Sequence, residues 1–231
     1  MNPRDPNVAI VETVARSLGT LIDRVVFVGG CAVGLLITDS GRPAVRATKD
    51  VDVFVEMTTR RHYYDFGEEL RSRGFKEAKS DEVICRWVLG ALQVDVMPTD
   101  KSVLGFANKW SLPAVKTARQ TKLPSGTAIQ LIAPQMLLAT KIEAFFDRGE
   151  GNFGNSHDIE DIVNLVDGRE EIVRDVSESD SELQTYLAHE VDDFLGNPAF
   201  LDALPFHLGP NVVEQERIGL VIERLRKIAK L

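Results

Sequence analysis

Hydrophobic and polar positions along this chain change their period midway. In 7–22 (NVAIVETVARSLGTLI) the apolar residues recur at helical spacing, which predicts a first helix. Arg24–Val28 (RVVFV) is a short β-branched run that ends in Gly29-Gly30 and reads as a buried strand, and Cys31–Thr38 reads as a helix entered straight from the glycines. Residues 39–49 (DSGRPAVRATK) are polar with Gly and Pro, hence a loop. Asp50–Glu56 (DVDVFVE) alternates acid and hydrophobe with the period of a strand. A helix over about 58–73 follows, then strands at 82–89 and 91–97 that turn at Gly90.

Beyond residue 125 the pattern becomes helical. Thr127–Ile132 is one more short strand, and Pro134 opens a helix through Arg148. A Gly/Asn loop covers 149–156, and Ser156 is placed to cap a helix over 157–166. Helices fill much of 168–195 and 211–230. These elements predict an α+β chain, with an α/β domain over 1–125 and a helical domain over 126–231. The boundary lies between about 125 and 133.

Charge sharpens that division. Through residue 125 there are 18 Lys and Arg against 15 Asp and Glu; beyond it there are 9 against 20, and the whole chain carries −8. Lys101, Lys109, Lys116, Arg119 and Lys122 follow one another with no acid among them. Such a segment either meets phosphates or is a solvated loop. The acidic second half argues against a protein that coats nucleic acid, though not against one that touches an RNA end. No apolar run reaches the roughly 18 residues of a membrane span, and no secretory signal is expected from MNPRDPN. Cys31 and Cys85 make no disulfide framework and lack metal-ligand spacing. A cytoplasmic setting is the expectation.

Three features carry candidate chemistry. Gly29-Gly30 lies between strand and helix, where backbone N–H groups can meet a phosphate or where a helix must simply pack closely on a strand. Asp50 and Asp52 share one face of their strand, about 7 Å apart at ~3.3 Å per residue, while Val51, Val53 and Val55 point to the other. Two carboxylates so placed can bracket a hard divalent cation. Aspartate is a poor strand former, and Asp95 in Leu92–Met97 repeats the anomaly. If its strand lies beside the first, three carboxylates meet and repel one another unless a cation sits among them.

The pattern Gly29-Gly30, Asp50-x-Asp52, Asp95 resembles the nucleotidyltransferase superfamily of the polymerase-β type. Lys141 and Arg148, seven apart on one helix, and His157-Asp158-x-x-Asp161 at the next helix start are similar to the AbiEii/MenT-type nucleotidyltransferases, many of them toxins of toxin–antitoxin pairs. The resemblance covers about 24–166. It departs in having Gly-Gly-Cys where the superfamily often has Gly-Ser. Gly30 and Asp50 also stand twenty apart, a longer gap than usual, with Arg42, Arg46 and Lys49 in the intervening loop.

The resemblance implies a nucleotidyltransferase-fold mixed sheet with flanking helices and a helical C-terminal domain. It implies Mg²⁺ or Mn²⁺ held by Asp50, Asp52 and Asp95, with an NTP as substrate and Asp95 as general base. It further implies triphosphate contacts from Gly29, Gly30 and Lys49, charge neutralisation by Lys141, and nucleotide contacts from Arg148 and Asp158. An RNA (tRNA) end is the implied acceptor and a cognate antitoxin the implied partner. An aminoglycoside-like small molecule or a protein hydroxyl is the alternative acceptor, and a non-catalytic, antitoxin-like binding protein the alternative class. Trp87 and Trp110 are expected in the core, and both cysteines as small buried hydrophobes.

Overall fold

The alternating acids and valines of 50–55 become the middle strand of a mixed, seven-stranded sheet. The structure is a computed structural model and describes residues 5–42, 45–78, 84–148, 151–209 and 215–231. Within these, 5–35 and 45–133 form one compact unit built on the sheet, while 36–42 and 134–231 belong to a second, helical unit.

In the sheet unit, α1 (Asn7–Leu18) buries Val8, Val11, Val14, Ala15 and Leu18, the stripe its periodicity predicts. Gly19, at φ 53°, ends it, so the expected helix over 19–22 is instead a 3-10 turn reaching Arg24. Next come β1 (Val26–Val28), α2 (Gly30–Leu36), β2 (Asp50–Val55), α3 (Arg60–Ser72), β3 (Lys76–Glu77), β4 (Arg86–Leu89) and β5 (Leu92–Pro98). The strand expected at 82–89 starts only at Arg86; 82 and 83 lie outside the described residues. The basic stretch is structured, as α4 (Lys101–Leu104), α5 (Ser111–Lys116) and β6 (Arg119–Lys122), before β7 (Ala128–Leu131) closes the unit.

The strand order is β3-β4-β5-β2-β1-β7-β6. β2 runs parallel to β5 and β1 parallel to β7; the remaining neighbours are antiparallel. On one face, Val51, Val53, Trp87, Val94 and Val96 are buried. Burying such side chains contributes about 1.5–3 kcal/mol each, which sets the register, because a one-residue slip would bring the acids to that face.

The helical unit contains α6 (Pro134–Asp147), α7 (His157–Gly168), α8 (Ile172–Ser177), α9 (Ser181–Gly196), α10 (Pro198–Leu208) and α11 (Ile218–Ile228). Ser156 caps α7 as expected, accepting from the Ile159 N–H at 3.4 Å. The helices expected over 168–195 are α8 and α9, separated at Asp180, whose side chain caps α9. Of the helix expected over 211–230, 211–214 lie outside the described residues. Phe145, Phe153, Phe194 and Phe200 make an aromatic core with ring centroids 4.8–5.9 Å apart. Among the described residues no helix is long and apolar enough to cross a membrane.

Candidate active site on the acidic face of the sheet

β2 and β5 lie side by side in a register that sets Asp52 directly against Asp95 and Asp50 against Gln93. Neighbouring strands are about 4.8 Å apart, and residues directly opposed share a face. Asp50, Asp52 and Asp95 therefore lie together on the face opposite the valines. Asp95 is buried and the other two are half-buried.

Each acid is fixed differently. Asp95 is gripped by Arg86, its antiparallel partner on β4. Nε donates to Oδ1 and Nη2 to Oδ2, both at 2.8 Å, a two-pronged pair of the strong, directional kind. Asp50 is met by a hydroxyl: Thr48 Oγ1 donates to Asp50 Oδ1 and accepts from the Asp50 N–H at 3.2 Å. Thr48 is itself anchored, its N–H donating to Asn7 Oδ1 at 2.9 Å, while Asn7 Nδ2 donates to the Arg46 carbonyl at 3.0 Å. Asn7 is fully buried, so α1 holds the entry to β2 through a side chain that makes backbone-like hydrogen bonds.

Asp52 lies against Gly29. The opposed pair Val28–Asp52 brings the end of β1 beside it. Gly29 has φ 71°, and a Cβ there would overlap Asp52 Oδ2 and stand 2.7 Å from its Cγ. Glycine is required here on two counts, left-handed backbone and close approach. Gly29 thus leaves the space that the Asp52 carboxylate occupies. Gly30 opens α2 and is half-buried, and Lys49 is exposed, its carbonyl accepting from the Gln93 N–H at 3.3 Å.

The electrostatics of the cluster register on Cys85. Burial, then the charges of Asp95 and Asp52, push its thiol up to about 12. Such a thiol is a poor nucleophile. Cys31 and Cys85 are both buried and free, and Trp87 and Trp110 are buried, as expected of core residues.

Lys141, Arg148 and Asp158 come together within the helical unit. Lys141 Nζ reaches Asp158 Oδ1 at 3.1 Å and Asp161 Oδ2 at 2.6 Å, and Arg148 Nη1 reaches Asp158 Oδ2 at 2.7 Å. Asp158 and Asp161 are only 1% and 3% exposed and need such cations. The network ties α6 to α7. Arg42, from the long 39–49 loop, is buried, its Nε donating to Asp167 Oδ2 at 2.6 Å and its Nη2 to Asn164 Oδ1. The buried Asp167 carboxylate meets both Arg42 and Arg217.

Sequence reasoning missed Arg86, Thr48 and Asn7. Arg86 interrupts an apolar strand next to buried Cys85, which was a usable signal; Asn7 gives none, because its partners lie 39 and 41 residues away. Among the described residues, the one group of three potential metal ligands whose ligand atoms all lie within 4.8 Å of one another is His189, Glu190 and Asp193 on α9, with His189 and Asp193 on its exposed surface; Asp50, Asp52 and Asp95 share a face without gathering that closely.

No family model matches the chain, and no curated protein matches it. Among solved structures, JHP933 from Helicobacter pylori is similar over 96% of this chain and 92% of that one, at 13% identity and a TM-score of 0.48. That likeness is too distant to bear on the chemistry.

Proposed function

We propose that this chain is a divalent-metal-dependent nucleotidyltransferase, which moves an NMP from an NTP to an acceptor hydroxyl and releases pyrophosphate. The observation that carries the reading is the direct opposition of Asp52 and Asp95 on parallel strands, with Asp50 on the same face. An all-carboxylate donor set suits Mg²⁺ or Mn²⁺ rather than softer ions. The missing Cβ of Gly29 supports it too, by leaving Asp52 room at the mouth of β1.

Asp50, Asp52 and Asp95 would hold the cation, and Asp95 would take the proton of the acceptor hydroxyl. When bound, the cation would neutralise charge on the phosphates and acidify that hydroxyl. Thr48 hydrogen-bonds Asp50 and Gly29 leaves room for Asp52, and such positioning would supply much of the rate, as in phosphoryl-transfer enzymes generally. The acceptor best supported is an RNA end. Lys101, Lys109, Lys116, Arg119 and Lys122 are all exposed, and β6 brings two of them to an edge of the sheet. A reading as a toxin with a cognate antitoxin goes with that acceptor.

The test is label transfer from each α-labelled NTP, with Mg²⁺, to total tRNA or to an aminoglycoside panel. Transfer to RNA that disappears in Asp50→Ala and Asp52→Ala is expected. No transfer to any acceptor, or transfer undiminished in both variants, refutes the proposal. One observation favours a second reading, a catalytically silent binding protein. Both oxygens of Asp95 are engaged by a guanidinium that stays protonated. That reading predicts that Mn²⁺ never displaces Arg86.

A further inference from the structure

Arg86 shares the polar face with the three acids and grips both oxygens of Asp95. Its side chain is 18% exposed and that of Asp95 11%. Guanidinium is a permanent cation with a planar fork that suits a carboxylate or a phosphate equally well. A divalent cation bound by Asp95 needs the same lone pairs that Arg86 occupies. Once Asp95 turns to such a cation, the Nε and Nη2 hydrogens of Arg86 need another acceptor. Leaving a half-buried charged donor unsatisfied is costly, and a triphosphate on this face supplies anionic oxygens of matching geometry.

Resting on the nucleotidyltransferase reading, we propose that Arg86 is a positioning residue that couples metal loading to nucleotide binding. Without nucleotide it stands in for the cation at Asp95; with nucleotide it transfers its fork to a phosphate and frees Asp95. The coupling is reciprocal, because each ligand relieves the cost that the other imposes. The protein therefore binds a divalent cation weakly alone and more tightly with the triphosphate.

The test is Mn²⁺ binding followed by electron paramagnetic resonance, with and without a non-hydrolysable NTP analogue, in wild type, Arg86→Gln, Arg86→Lys and Asp52→Asn. A charged hydrogen-bonded contact of this kind corresponds to roughly ten- to a hundredfold in affinity. Arg86→Gln is expected to bind Mn²⁺ alone tighter by that factor and to lose the enhancement by nucleotide. Arg86→Lys, which keeps the charge but not the fork, falls between and covers the case in which the glutamine variant fails to fold. Wild-type binding that Asp52→Asn abolishes, with both Arg86 variants matching wild type, overturns the coupling alone. An absence of Mn²⁺ binding in wild type even with nucleotide overturns the nucleotidyltransferase reading as well.

Discussion

The molecule holds two groups of aspartates under opposite electrostatic regimes. In the helical unit Asp158, Asp161, Asp167 and Asp175 are almost wholly buried, and each meets a cation: Lys141, Arg148, Arg42, Arg217 or Arg169. In the sheet unit three carboxylates share one face: Arg86 holds Asp95, the Thr48 hydroxyl meets Asp50, and Asp52 lies against Gly29. The first group is neutralised within the fold. The second shares one face of the sheet, where Asp50 and Asp52 stay half-exposed and a guanidinium and a hydroxyl are among the partners. Acid count does not separate the two groups; how each acid is neutralised does.

The comparison is sharpest at Lys141. Removing one partner of a buried ion pair costs about 3–5 kcal/mol, so Lys141→Ala should lower the unfolding free energy by that much in urea titrations. Adding Asp158→Asn and Asp161→Asn to Lys141→Met should recover most of the loss, because no buried charge is then left uncompensated. A loss under about 1 kcal/mol for Lys141→Ala would put this pair with exposed ion pairs instead.

Gly29→Ala comes next. The left-handed backbone alone costs an L-residue about 1–2 kcal/mol, and the added Cβ must also displace the Asp52 carboxylate. Loss of Mn²⁺ binding together with that destabilisation is expected. Asp52→Asn should act in the opposite sense on stability. Relieving like-charge repulsion should raise it by about 1 kcal/mol, as is common at strained sites, while nucleotidyl transfer disappears. If Asp52→Asn destabilises as much as Lys141→Ala, the sheet acids belong with the first group.

The smallest effect concerns pH. The hydrogen bond from Arg217 holds the Asp39 carboxyl below the usual carboxylate range. A depressed folded-state pKa contributes stability that is present above the unfolded value and is lost as pH falls through the folded one. Asp39→Asn, which removes the titrating group and leaves the Arg217–Asp167 pair in place, should therefore flatten the acid limb of the stability profile below about pH 4. A limb unchanged in that variant would show the pair to be inert.

Much of this was legible in the sequence because it rests on periodicity. Asp50 and Asp52 share a face by strand alternation alone, and the helices α1, α3, α6 and α7 follow from spacing and caps. α10 escaped although Asn197-Pro198 is a strong start signal: Asn197 caps it and Pro198 is its first residue. β6 escaped because RQTK is polar on both faces, as an edge strand can be. The pairing of Asp52 with Asp95, the Arg86 fork and the burial of Arg42 depend on contacts between residues far apart in the chain, which no local pattern encodes.

The most direct measurement is a crystal structure grown or soaked with MnCl₂ and a non-hydrolysable NTP analogue, read by anomalous scattering. A manganese peak is expected at ~2.1 Å from carboxylate oxygens of Asp52 and Asp95, with Arg86 turned to a phosphate. Manganese found only at His189, Glu190 and Asp193, with Asp95 still held by Arg86, would contradict it.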